Sequence, residues 1–301
     1  MNELSVSSRA LTSVSISSDS CYAVFSGLDA AVQIYNIQSS QSLTKFLHPT
    51  SVSSLDLSMD DSRICSSSAR FLHFWDTSSG QEIRRIEASS SSRIVSSRFF
   101  QSKSLVLTAS VDGSLCLFDL RKPRSKPVQY FSFPNSLTGL SCYEFGKPIA
   151  LSSTSNGTAH VIDFTAAKTL NDNLCSSAIS GCVLSPDVMY YSVITTEVEG
   201  QSYLIVMDSI DGSCLVRERV SPRSTRTPII TSNFGDFVLY QSDQTIKVID
   251  MNADDVSYAF DCKDDVTCLS LQRQSLSNCG SFSDLKFLAG TKMGKLNIFK
   301  T

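Results

Sequence analysis

The side chains able to do chemistry in this chain are mostly cationic or hydroxylic, and they fall between apolar runs. Arg9, Arg93 and Arg226 stand one to three residues before Leu11, Ile94 and Ile229, where apolar alternation begins. A guanidinium binds carboxylate or phosphate bidentately, so three of them on one rim would favour an acidic or phosphorylated peptide. The most charged connection, Arg217 to Pro228, holds the steps Ser221-Pro222 and Thr227-Pro228 beside four arginines. Ser221 and Thr227 are therefore expected to be exposed phosphoacceptors for a proline-directed kinase, with guanidinium partners nearby for the added charge. A further basic cluster, Arg121-Lys122-Pro123-Arg124-Ser125-Lys126, has no interleaved aromatics, so direct nucleic-acid binding is not expected.

Other chemistries find no support in the spacing. There are three histidines, His48, His73 and His160, and ten cysteines without a Cys-x-x-Cys pair, so no zinc site of usual spacing is visible. Cysteines inside apolar alternation, as in Leu115-Cys116-Leu117, read as small buried hydrophobes. His48 reads as structural, in a relay with Ser67 and Trp75. No serine or cysteine stands with a histidine and a carboxylate at a recognisable spacing, and no Gly-rich phosphate loop occurs. The expectation is a protein with no catalytic residue, cofactor or metal.

Net charge is −3 over 301 residues, which gives no global attraction to nucleic acid or anionic membrane. Residues 1–9 hold no apolar signal core, and no run approaches the roughly 18 apolar residues of a membrane span. A cytoplasmic or nuclear location, or both, is expected, without a membrane partner.

The elements that position these residues repeat. Val32-Gln33-Ile34-Tyr35-Asn36, Leu72-His73-Phe74-Trp75-Asp76 and Leu115-Cys116-Leu117-Phe118-Asp119 share one grammar, two alternate apolar residues followed by an aromatic or aliphatic residue and usually Asp. It returns at Asp163, Asp208 and Asp250 and ends at Leu296-Asn297-Ile298-Phe299-Lys300. A period of roughly 40–45 residues is that of WD repeats, each a four-stranded propeller blade. Asp112-Gly113 and Asn156-Gly157 are tight hairpin signals. First strands repeat as Leu11, Val14, Ile16, as Val52, Leu55, Leu57 and as Val266, Leu269, Leu271. Gln272–Ser283 reads as a polar insert in the last unit, and serine runs such as Ala88–Arg93 read as loops.

The expected fold is thus all-β, one seven-bladed propeller over residues 1–301. Its last blade is completed by Glu3-Leu4-Ser5-Val6, which has no blade of its own.

Two resemblances narrow the function. Leu107-Thr108-Ala109-Ser110-Val111-Asp112 followed by Phe118-Asp119-Leu120-Arg121 resembles the WDxR box of substrate receptors for cullin–RING ubiquitin ligases, with Phe118 in place of its Trp. Blades two to four resemble the mitogen-activated protein kinase organiser family of WD-repeat proteins. The likeness runs through Asp61-Ser62-Arg63-Ile64-Cys65-Ser66, Phe74-Trp75-Asp76 and Ser79-Gly80-Gln81-Glu82-Ile83-Arg84-Arg85, and reaches Arg124-Ser125-Lys126-Pro127-Val128-Gln129. This second resemblance implies a scaffold for kinase-cascade components, from a family also found in spliceosomal complexes. The alternatives are an RNA-processing subunit and a ubiquitin-ligase substrate receptor. In each case the chain is expected to be a monomer within larger protein complexes.

Overall fold

The computed structural model describes residues 2–88, 92–122, 126–143, 147–175, 177–196, 201–222, 226–232, 234–252, 255–272 and 286–300. These form seven antiparallel sheets of four strands each, a seven-bladed β-propeller. Blades one to six take their strands in chain order, from Leu11–Ile16 as the first strand of blade one to Asp255–Asp261 as the last of blade six. The seven repeated segments are the third strands, and the Asp-Gly and Asn-Gly turns enter two of them. Gly113 and Gly157 there have φ of 82° and 89°. The insert beyond Gln272 and the serines at 89–91 lie outside the described residues.

Blade seven joins the two ends of the chain. Asn2–Ser5 pairs antiparallel with Lys295–Lys300, with Leu4 opposite Leu296 and Ser5 opposite Lys295. Val6 lies just past this strand, its N–H donating to the Gly294 carbonyl at 3.1 Å. Lys295 Nζ bridges Glu3 at 2.8 Å and Asp264 at 3.0 Å, tying the added strand to the blade.

Apolar alternation explains the assembly. Each blade presents two apolar faces, and seven apolar clusters fill the seven gaps between neighbouring blades. Leu11, Val52, Ile94, Leu137, Ile179 and Val266, at the starts of first strands, are essentially inaccessible. The middle of the ring is not a core but a channel lined by the first strands.

The serines departed from expectation. Many lie in strands rather than loops and are buried. Ser13 Oγ donates to the Leu55 carbonyl at 3.1 Å, and Ser54 Oγ accepts from the Ser97 N–H at 3.2 Å. Ser141 Oγ accepts from the Leu184 N–H at 3.0 Å. Each bond joins adjacent blades, because first strands converge at the axis too closely for large side chains and a hydroxyl reaches the neighbouring backbone.

A cationic channel mouth as the candidate functional site

Six of the seven first strands carry an irregularity at the same place, between Leu11 and Ser13, Val52 and Ser54, Ile94 and Ser96, Leu137 and Gly139, Ile179 and Gly181, and Val266 and Cys268. A bulge re-aims the side chain of its extra residue. Thr12, Ser53, Thr138, Ser180 and Thr267 accordingly line the channel, a cavity of about 140 Å³. Their hydroxyls are held by the framework. Ser53 Oγ donates to the Ile94 carbonyl at 2.8 Å and Thr267 Oγ1 to the Leu11 carbonyl at 2.6 Å.

Blade six departs from this pattern. Counting six residues back from the serine that closes the first strand gives Leu11, Val52 and Ile179 in blades one, two and five, but Arg226 in blade six. An arginine cannot fill the apolar gap between blades, so the residue stands at the exposed mouth and its guanidinium turns into the channel. It donates to the Ser53 carbonyl at 3.2 Å and to the Val95 carbonyl at 2.5 Å, spanning from blade six to blades two and three. Burial first, then the cations Arg93 and Arg98, pull its pKa down to about 10.

Arg98 is the other cation in the channel wall. Its Nη1 donates to the Leu55 carbonyl at 2.9 Å and lies 3.8 Å from Asp56, whose other oxygen accepts from the Phe99 N–H. Among the described residues lining the cavity, Arg98 and Arg226 are the only charged ones. Sequence reasoning passed over Arg98, although an Arg two residues beyond Ser96 on the same strand face is a readable signal.

The expected triad of rim arginines is therefore corrected. Arg93 and Arg226 lie close enough to act on each other, and both residues are exposed at the mouth. Arg226, however, is hydrogen-bonded across the channel rather than unpaired. Arg9 is exposed but neither lines the cavity nor figures among the groups acting on Arg226.

The phosphoacceptor expectation divides. Ser221 is exposed. Thr227 is only 3% exposed, its hydroxyl hydrogen-bonded with Ser180 Oγ at 3.0 Å, because it already occupies the place of a first-strand residue and faces blade five. Arg223–Thr225 lie outside the described residues.

Arg121 is on the opposite face, in the turn joining the third and fourth strands of blade three. It grips Asp119 with two bonds of 2.9 Å while 69% of its side chain faces solvent. This bond holds the Asp119 carboxyl below its ordinary value.

The relay of blade two is also corrected in one member. Trp75 Nε1 donates to Ser66 Oγ, and Ser66 Oγ shares a hydrogen bond with His48 Nε2, each at 2.9 Å. Ser67 points to the other face of the strand, where its hydroxyl meets Ser53. His73 and His160 are buried and partnered locally. His73 Nδ1 bonds Glu82 at 2.8 Å, and His160 stacks on Phe133 with ring centroids 4.1 Å apart. Burial raises the pKa of Cys116 and Cys262 to about 11 and of Cys268 to about 12, so these sulfurs are thiols at neutral pH. Cys214 is exposed, and Cys279 lies outside the described residues.

Fold and channel together define a seven-bladed β-propeller whose repeats resemble WD repeats. The chain is similar to a Dictyostelium discoideum protein described as a WD repeat domain-containing protein 83 homolog, 28% identical over 127 residues. The match covers 42% of this chain and 39% of that protein, less than half the length of either. No protein-family model matches the chain.

Proposed function

We propose that this protein is a non-catalytic scaffold that holds other proteins on the rims of its ring, among them components of a kinase cascade. The observation that carries the reading is a ring locked blade to blade by buried hydroxyl–backbone bonds, with connecting loops on its faces. Rigid frameworks with surface loops are built to present contacts at fixed spacing. The kinase-cascade part is supported by the resemblance in blades two to four and by the partial similarity to the Dictyostelium protein. The exposed Arg9 and Arg93 suit acidic or phosphorylated segments of such partners. The proposed setting is the cytoplasm, the nucleus or both, with one copy of the chain in each larger complex.

The test is affinity purification of the tagged full chain from cells, with partners identified by mass spectrometry. Kinase-cascade components should be retained. Replacing Arg9 and Arg93 with Ala should slow their association and flatten its salt dependence, since rim charges act mainly on encounter. Recovery of spliceosomal particles instead, or of a ubiquitin-ligase adaptor in a manner abolished by Arg121→Ala, would replace this reading.

A further inference from the structure

We propose that the channel mouth between Arg98 and Arg226, with Arg93 above it, is a binding site for a phosphate dianion, either free or as a phosphate ester. This goes beyond the scaffold reading, because a bare ion is expected to bind whether or not a protein docks.

Three observations carry it. The first is convergence. Arg226 reaches the Ser53 carbonyl from across the ring and Arg98 reaches the Leu55 carbonyl from the adjacent blade. Two residues along one strand are roughly 7 Å apart, so both guanidiniums face the same sector of the channel. The second is charge. The cavity wall carries these two cations and otherwise hydroxyl, thiol, glycine and aliphatic groups, while Asp56 stands beside Arg98 at 3.8 Å. With Arg93 at the rim, three positive charges gather around one neighbouring carboxylate. Burial lowers the pKa of Arg226 most, and the neighbouring cations Arg93 and Arg98 lower it further, so both act on it at the mouth. The third is size and donor type. A cavity of about 140 Å³ admits a phosphate group, and guanidiniums present paired N–H donors in the geometry that phosphate oxygens accept.

Arg226 also departs from the apolar residue that blades one to five and seven carry at the start of the first strand. Its cost in lost burial is offset if the guanidinium meets an anion. Binding requires no covalent step. The phosphate accepts N–H bonds, and the carbonyls of Ser53, Val95 and Leu55 keep or exchange theirs.

The test uses the full chain titrated with inorganic phosphate, followed by calorimetry and phosphorus NMR against sodium chloride of equal ionic strength. A second arm uses a Gly-phosphoserine-Gly tripeptide. Saturable phosphate binding is expected for the parent and for Lys45→Gln, which removes a cation from an outer strand far from the channel. Arg226→Gln and Arg98→Gln should each weaken it about tenfold or more, the loss of a charge-assisted bond. These two side chains also brace backbone carbonyls, so the melting temperature of each variant is measured in chloride. Arg93→Gln provides a variant whose side chain makes no hydrogen bond or ion pair among the described residues, and it should weaken phosphate several-fold with unchanged melting. If the tripeptide competes with inorganic phosphate, the site takes phosphorylated side chains; if only the ion binds, it takes free phosphate. Either result supports the site. A parent chain that binds neither probe above the chloride background overturns it, as does parental affinity in every folded arginine variant.

Discussion

Ser66 has one hydroxyl proton. Its oxygen accepts from Trp75 Nε1–H and shares its other hydrogen bond with His48 Nε2. Nδ1 is buried and meets no hydrogen-bond partner among the described residues. Ala69 stands where the WD-repeat pattern has an aspartate, so that position offers no carboxylate to continue the relay. Burial first, then neighbouring His73, push the His48 pKa from 6.5 down to about 4, and burial lowers His73 as well. Below pH 6.5 the unfolded chain takes up a proton that the folded one refuses, so stability is full above that pH and falls as pH drops toward 4. The His48 contribution is about 2 kcal/mol. Urea unfolding at pH 7, 5.5 and 4.5 should show this slope, and Ala69→Asp, which restores the carboxylate of the WD pattern and would favour the charged ring, should reduce it. A flat profile across that window would contradict the buried neutral ring. The existence of a relay was legible from Trp75 and His48, but its serine was not. Ser66 and Ser67 are adjacent, and only the register Ile64 opposite Trp75 decides which of them faces the ring.

At the level of single elements, turns and bulges set where side chains point. Asn156-Gly157 was readable as a turn because the pair tolerates positive φ, and the reason is steric as well as conformational. A Cβ on Gly157 would stand 2.4 Å from the Ser177 carbonyl oxygen and 2.7 Å from that of Cys175, both backbone atoms that cannot swing aside. Gly157→Ala should therefore destabilise blade four by about 2 kcal/mol or more, read as a lowered midpoint in chemical denaturation. A midpoint within error of the parent would show that the loop before blade five yields easily. The strands and their order were legible because apolar alternation is local. The bulges and the buried serines were not, because a serine hydroxyl is read locally as a turn former, whereas the partners of Ser13, Ser54 and Ser141 lie some forty residues away on the next blade. The same blindness hid the course of Arg226, whose acceptors are 173 and 131 residues distant.

The whole ring has no single core, so its stability depends on completing the circle. Each of the seven apolar layers is shared by two blades, and a blade that loses its outer strand presents an unpaired edge. Asn2–Ser5 prevents this in blade seven, and Leu4 and Val6 pack against the layer formed by Leu288, Leu296, Ile298 and blade one. The closing strand is short, yet it is fastened by three kinds of contact. These are backbone pairing to Lys295–Ile298, the apolar contact of Leu4, and the bridge from Glu3 to Lys295, whose pKa that bond raises. The ion pair is part-exposed, and such pairs add little to stability. Glu3→Gln should then leave melting nearly unchanged. Removing residues 1–7, by contrast, exposes the Lys295–Lys300 edge together with Leu296 and Ile298. The truncated protein should melt several degrees lower and form soluble aggregates on light scattering, while Leu4→Asp in the full chain should give a smaller drop of the same sign. A truncated chain that melts like the parent and stays monodisperse would mean that the two ends do not hold the ring shut.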